Sequence, residues 1–146
     1  MEHLLDVENK LNVLFPNSYK NILDQFKLFM EIEFKGHTID LFNIDSLFEN
    51  VNGFSKWNYM EYLVDINKEK QQDISVVNRH DENSYINSER VKKGFMFGSF
   101  ADGVRLYFDL EDNLSIWEYW LDDGSIGKIA DNFDEILSIG EISDFE

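Results

Sequence analysis

The residues able to do chemistry in this chain are few and scattered. Its three histidines are His3, His37 and His80, and it has no cysteine. Thiolate zinc sites and disulfides are therefore excluded. No two histidines stand four apart, so no H-E-x-x-H zinc helix exists. His80, Asp81 and Glu82 are metal-capable side chains, but three neighbours in an exposed loop do not form a preformed shell, and no metal is expected. Asp109, Glu111 and Asn113 have calcium-loop spacing. The pattern then breaks, because Leu114 takes the sixth position, where glycine is needed, and Trp120 the twelfth, where a bidentate glutamate is needed. Ser99 follows Phe97-Gly98, not the Gly-x of a nucleophile elbow, and no paired histidine and acid accompany it. No glycine loop with a following Lys-Ser or Lys-Thr is present to cradle a phosphate. Carboxylate pairs suited to glycoside hydrolysis are unavoidable among 29 acids, and nothing in the pattern selects one. The expectation is a protein without catalytic residues, metal or cofactor: a binding protein rather than an enzyme.

Charge points the same way. The chain of 146 residues carries 29 acids against 13 bases, a net charge of −16. From Ala101 to Glu146 thirteen acids meet only Arg105 and Lys128, which places −11 of that charge in the C-terminal third. Such a surface repels nucleic acid and attracts basic partners. The small basic group Arg79, Arg90, Lys92 and Lys93 lacks any RNA-binding motif and reads as a counterweight to neighbouring acids. The opening MEHLLDVENK has no basic segment followed by an apolar run, and no apolar stretch approaches the about 20 residues of a membrane span. With no cysteine either, a cytoplasmic location away from membranes is expected.

The elements that must position any binding residue follow from periodicity. Leu4, Val7, Leu11 and Leu14 suggest a first helix ending at Pro16. Asn17 or Ser18 is expected to cap a second, with Tyr19, Ile22, Leu23 and Phe26 inward. Phe29 to Phe34 and His37 to Phe42 read as a hairpin around Lys35-Gly36. Asn43 is expected to cap a short helix bearing Ile44, Leu47 and Phe48. Trp57 to Gln71 reads as helical, with Met60, Leu63, Val64 and Asn67 inward. Asp73 to Arg90 is polar and reads as containing a loop. Phe95 to Phe100 restarts the sheet. Val104, Leu106, Phe108 and Leu110 then alternate with Arg105, Tyr107 and Asp109, the period of a half-buried strand. Turns are expected at Glu111–Asn113 and at Asp122–Gly124, where Asp-Gly tolerates positive φ. They flank a strand from Leu114 to Leu121 with Trp117 and Tyr119 on one face and Ile116 and Trp120 on the other. Ser125 to Ile129 follows. Asp131 is expected to cap a last helix with Phe133, Ile136 and Leu137 inward, and about 140–146 should be a frayed acidic tail. The sum is one α+β domain over 1–146, helices packed around a mostly antiparallel sheet. About 70% of the unfolded surface of such a chain is buried, enough for a core without staples.

Four segments, in order, resemble the SUKH superfamily, the fold of the yeast cell-wall-synthesis regulator and of many bacterial immunity proteins. Leu14-Phe15-Pro16-Asn17-Ser18-Tyr19-Lys20, followed by Ile22 and Leu23, is similar to the family's opening turn into a helix. Ser75-Val76-Val77-Asn78-Arg79 resembles a central segment of one branch. Phe97-Gly98-Ser99, Gly103 and Tyr107-Phe108-Asp109-Leu110 resemble its core strand pair. Ile129 to Leu137 resembles its closing helix. The chain departs from the pattern at Lys27-Leu28-Phe29-Met30, where the family has a short glycine-containing turn.

The resemblance implies a non-catalytic immunity protein that binds and occludes a cognate bacterial toxin. Nuclease toxins carry basic surfaces, and an acidic inhibitor meets them with complementary potential. The alternative is a SUKH-type interaction or regulatory module with a non-toxin partner. The candidate contacts are Glu111, Asp112, Trp117, Glu118, Tyr119, Asp122 and Asp123. For Trp117 and Tyr119, packing beneath a helix is the competing expectation. Oligomeric state is left open.

Overall fold

A computed structural model describes residues 3–71 and 73–146, residue 69 in its backbone alone. The helices are α1 (Leu4–Leu11), α2 (Asn17–Leu23), α3 (Ile44–Leu47), α4 (Met60–Ile66), α5 (Ser88–Lys92) and α6 (Phe133–Ile139). The strands are β1 (Met30–Phe34), β2 (His37–Leu41), β3 (Asn50–Val51), β4 (Phe54–Ser55), β5 (Val76–Arg79), β6 (Ser84–Asn87), β7 (Phe95–Phe100), β8 (Arg105–Asp109), β9 (Ser115–Tyr119), β10 (Ile126–Ala130) and β11 (Glu141–Phe145). Nine of them form one sheet in the order β11-β1-β2-β7-β8-β9-β10-β5-β6. Every pairing in it is antiparallel except β10 with β5. The expected α+β class holds.

Both faces of the central strands are covered, because alternate side chains feed two separate cores. On the first face Val7 of α1, Tyr19 and Ile22 of α2, and Phe133 and Ile136 of α6 pack on Ile32, Ile39, Leu106, Phe108 and Ile116. The Tyr19 ring meets Phe108 and Phe133 edge-on, at 5.1 and 5.3 Å between centroids, the geometry that aromatic quadrupoles favour. On the second face Met60, Leu63 and Val64 of α4 and Val91 of α5 pack on Met96, Tyr107, Trp117, Tyr119 and Ile126. β8 is therefore not half-exposed as its alternation suggests: Tyr107 and Asp109 are as buried as Leu106 and Phe108.

Other expectations shift at element ends. Leu14 is exposed and lies beyond α1. Pro16 stands at the N-cap of α2, so Asn17 is already helical. Asn132, not Asp131, caps α6, its side chain accepting from the Glu135 amide. The polar stretch expected to hold a loop contains the β5–β6 hairpin. Three of the four residues of the basic group face acids: Arg79 pairs with Asp81 and Glu82, Arg90 with Asp109, and Lys92 with Asp65 and Glu89.

Arg90 and Asp109 lock α5 to the end of β8. The buried Asp109 carboxylate accepts from Arg90 Nε at 3.0 Å and Nη2 at 2.6 Å, and from the Glu111 amide at 3.0 Å. Its hydrogen bonds raise the Arg90 pKa above the ordinary value. Arg90 keeps access to water, so Asp109→Ala should cost about 2–3 kcal/mol, the lower end for breaking a buried charged pair. Urea unfolding measures it; a loss under about 0.5 kcal/mol, that of an ordinary surface change, would contradict the lock.

The acidic tail is not frayed. Residues Glu141–Phe145 form β11, the last strand of the sheet, paired to β1. Its register sets Asp144 opposite Glu31 and Glu141 opposite Glu33, while Asp40 of β2 stands on the other side of Glu31. Desolvation, then Asp40, Asp144 and Glu33, raise the Glu31 pKa. A carboxyl raised on folding binds its proton better in the folded state. Its charge thus costs stability above the raised pKa, and the cost vanishes below the ordinary carboxylate value. Amide exchange of 141–145, corrected for intrinsic rate, should slow relative to the core as pH falls through that window. Exchange that accelerates there would show the carboxylates do not repel.

An acidic, aromatic groove on the first face

The turns β1–β2, β7–β8 and β9–β10 share one end of the sheet, since alternate hairpins of a meander reverse at the same end. The β8–β9 turn lies at the other. At the first end, beyond the helices, the first face is open and forms a groove of about 510 Å³. His37, Phe100, Val104, Glu118 and Trp120 line it from successive strands, with Asp102 and Asp122 at its turns. Among the described residues no lysine or arginine lines it.

Each wall is built by stacking. His37 lies on Phe100, 4.8 Å between centroids and 29° between planes. His80 lies on Trp120 at 3.6 Å and 16°. His80 follows β5 and covers Gly127 of β10. A Cβ at Gly127 would come 2.6 Å from Nε2, so the bare glycine lets the imidazole lie flat on the strand. The ring is tied at both nitrogens, Nδ1 lying 2.9 Å from Ser125 Oγ and Nε2 3.1 Å from Glu118 Oε2. A carboxylate only accepts, so Nε2 carries a proton. The other oxygen of Glu118 accepts from Trp120 Nε1 at 3.1 Å. Ser125 in turn donates to Asp123 from both hydroxyl and amide. Gly124, at φ 72°, closes this turn, and Lys70 Nζ donates to the Asp122 carbonyl at 2.6 Å. One connected network thus holds Glu118 in a single orientation beside a flat indole.

The seven contact residues expected from sequence separate into three groups. Glu118 and Asp122 line the groove, and Asp123 braces its turn. Glu111 and Asp112 lie at the opposite end of β9. Glu111 is exposed; Asp112 is bound to Ser115 Oγ at 2.7 Å and Lys128 Nζ at 3.1 Å, which hold its carboxyl below the ordinary range. Trp117 and Tyr119 are not surface anchors. They are buried on the second face, because α4 and α5 cover it. The Tyr119 hydroxyl donates to the Leu63 carbonyl and accepts from Asn67, and burial pushes its pKa up to about 12.

The groove residues missed from sequence are His37, Phe100, Asp102 and Trp120, together with His80, which braces Trp120 and Glu118 from outside the lining. Trp120 was readable from the alternation that placed it opposite Trp117. The others had no local signal, since His80 and Glu118 are 38 residues apart. Among the described residues no cluster of three or more metal-capable side chains forms a metal site, and His80 turns to Glu118, away from the loop in which it neighbours Asp81 and Glu82. No helix among these residues is long and apolar enough to cross a membrane.

No curated protein and no solved structure matches the chain. A family model does, the SMI1 / KNR4 family (SUKH-1), over residues 2–139. That span includes every helix of the two cores and every strand lining the groove. The chain belongs to the SMI1 / KNR4 family (SUKH-1).

Proposed function

We propose that the protein is a non-catalytic immunity protein, which binds a basic bacterial toxin and occludes it, a nuclease being one such toxin. The family includes immunity proteins. The observation that carries the reading is the groove: three carboxylates, two stacked aromatic walls and, among its described lining residues, no lysine or arginine. Such a site suits lysine and arginine side chains, which gain charge attraction from Asp102, Glu118 and Asp122 and cation–π contact with Trp120. Glu118 is already oriented, so little side-chain entropy is lost when a partner arrives. The chain's net charge of −16 adds long-range steering toward a basic surface.

The test is growth rescue. The product of the gene beside this one is expressed in sensitive cells with and without this protein. Rescue, with a stable complex recovered from the survivors, is the expected result. Continued killing at matched expression would overturn the reading. Binding to a non-toxic neighbour would favour the regulatory alternative.

A further inference from the structure

The sheet ends at β11, whose outer edge has no partner strand among the described residues. Such an edge presents unpaired N–H and C=O groups to any chain that can lie along it. Every residue of β11 is exposed. Its side chains are sorted by side. Glu141 and Asp144 stand with Glu33 and Glu31, while Ile142 and Phe145 stand with Ile32 and Met30. Glu141 and Asp144 are three apart, and they share a side only because the ladder bulges at Ser143. Ile142 and Phe145 are 43% and 54% exposed. Phe145 also walls, with Phe26 and Leu28, a groove of about 440 Å³ beside the strand. The strand's far end is pinned: the amides of Lys27, Leu28 and Phe29 all donate to the Glu146 main-chain oxygen. The edge is thus ordered, apolar on one side and acidic on the other.

We propose that this edge receives an extended segment of a partner protein by strand addition. The segment carries Lys or Arg opposite Glu141 and Asp144, and apolar side chains against Ile142 and Phe145. Main-chain hydrogen bonds supply affinity in this mode, and alternate side chains supply selection. A second copy of this chain is the wrong occupant, because a parallel pair of β11 strands would set Glu141 and Asp144 against their own kind, and the antiparallel register that joins Ile142 to Phe145 would set Glu141 against Glu146. β11 lies outside residues 2–139, which the family model matches. It does not depend on the groove of the first face.

The full chain and two labelled synthetic peptides test it, each about eight residues long, alternating isoleucine with lysine in one and with glutamate in the other. Anisotropy reads binding, and amide exchange reads its place. The lysine peptide should bind at least ~10-fold more tightly than the glutamate peptide. The outward amides of Glu141–Phe145 should gain at least ~10-fold protection, and those of Ser84–Asn87 at the opposite edge none. Asp144→Lys, an exposed change that spares the cores, should weaken the lysine peptide roughly fivefold. Equal binding of the two peptides, protection at β6 instead, no effect of Asp144→Lys, or loss of β11 protection on binding would each overturn the proposal. So would concentration-dependent protection of β11 without peptide, which would identify a second copy as the occupant.

Discussion

Trp117→Ala is expected to remove about 3–5 kcal/mol of stability, the cost of deleting a large aromatic ring from a packed core. The indole is 2% exposed. It sits between Tyr107 of β8 and Lys128 of β10 in the ladder, beneath the helices of the second face. Its Nε1 donates to Ser115 Oγ at 2.9 Å, and the Arg79 guanidinium lies 4.7 Å from its ring centre. Arg79 is itself held by Asp81 and Glu82, so the cation cannot follow the shrinking side chain and a cavity remains. Domains of this size have about 5–15 kcal/mol in total, so the variant should be near its unfolding threshold on warming. Urea titration followed by far-ultraviolet circular dichroism measures the loss without relying on the deleted fluorophore. Trp117→Phe should cost less, about 1–2 kcal/mol, because the sheet contact survives. If Trp117→Ala costs under 1 kcal/mol yet abolishes partner binding, the residue is a contact after all.

Glu118→Lys is expected to weaken binding to a basic partner by about 100-fold or more, while leaving the fold intact. Its carboxylate is the charge of the groove fixed on both oxygens, to Trp120 and to His80. Reversal places a cation where the proposed partner's cation would sit, and losing a hydrogen-bonded charge that a bound partner buries costs about 2–5 kcal/mol. Glu118→Gln keeps the shape and loses the charge, and about 10-fold is expected. Glu111→Lys serves as the contrast. It lies at the far end of β9, so it should lower the association rate by less than about threefold and leave dissociation unchanged. Surface plasmon resonance at two salt concentrations reads all three. Equal losses for Glu111→Lys and Glu118→Lys would move the interface off the groove.

The elements were legible where local periodicity and local chemistry agree. Tyr19, Ile22, Leu23 and Phe26 mark the buried side of α2 and its flank, Lys35-Gly36 marks the first hairpin, and Asn43 caps α3. The β5–β6 hairpin was not legible, because its strands are polar at Asn78, Arg79, Ser84 and Asn87. They pair through backbone groups that every residue carries. β11 was hidden for the same reason: an acidic strand looks like a tail until β1 is there to accept it. Glu118 and Asp122, which line the groove, stand out in the sequence by charge alone, but Glu111 and Asp112 carry the same charge at the other end of the same strand, and nothing local separates the two ends.

Composition, alternation and turn residues by themselves determined an α+β chain with an acidic C-terminal third, no thiolate chemistry and the segments that match its family. They act over a few residues, and so they specify elements and their turns. Only the tertiary structure decided that both faces of β9 are used, Trp117 and Tyr119 for a core and Glu118 and Trp120 for a groove. Strand order decided it: β8 and β10 flank β9, β5 brings His80 over Gly127, and the helices cover one face fully and the other in part. Burial and charge convergence are sums over contacts distant in sequence, and no local pattern records them.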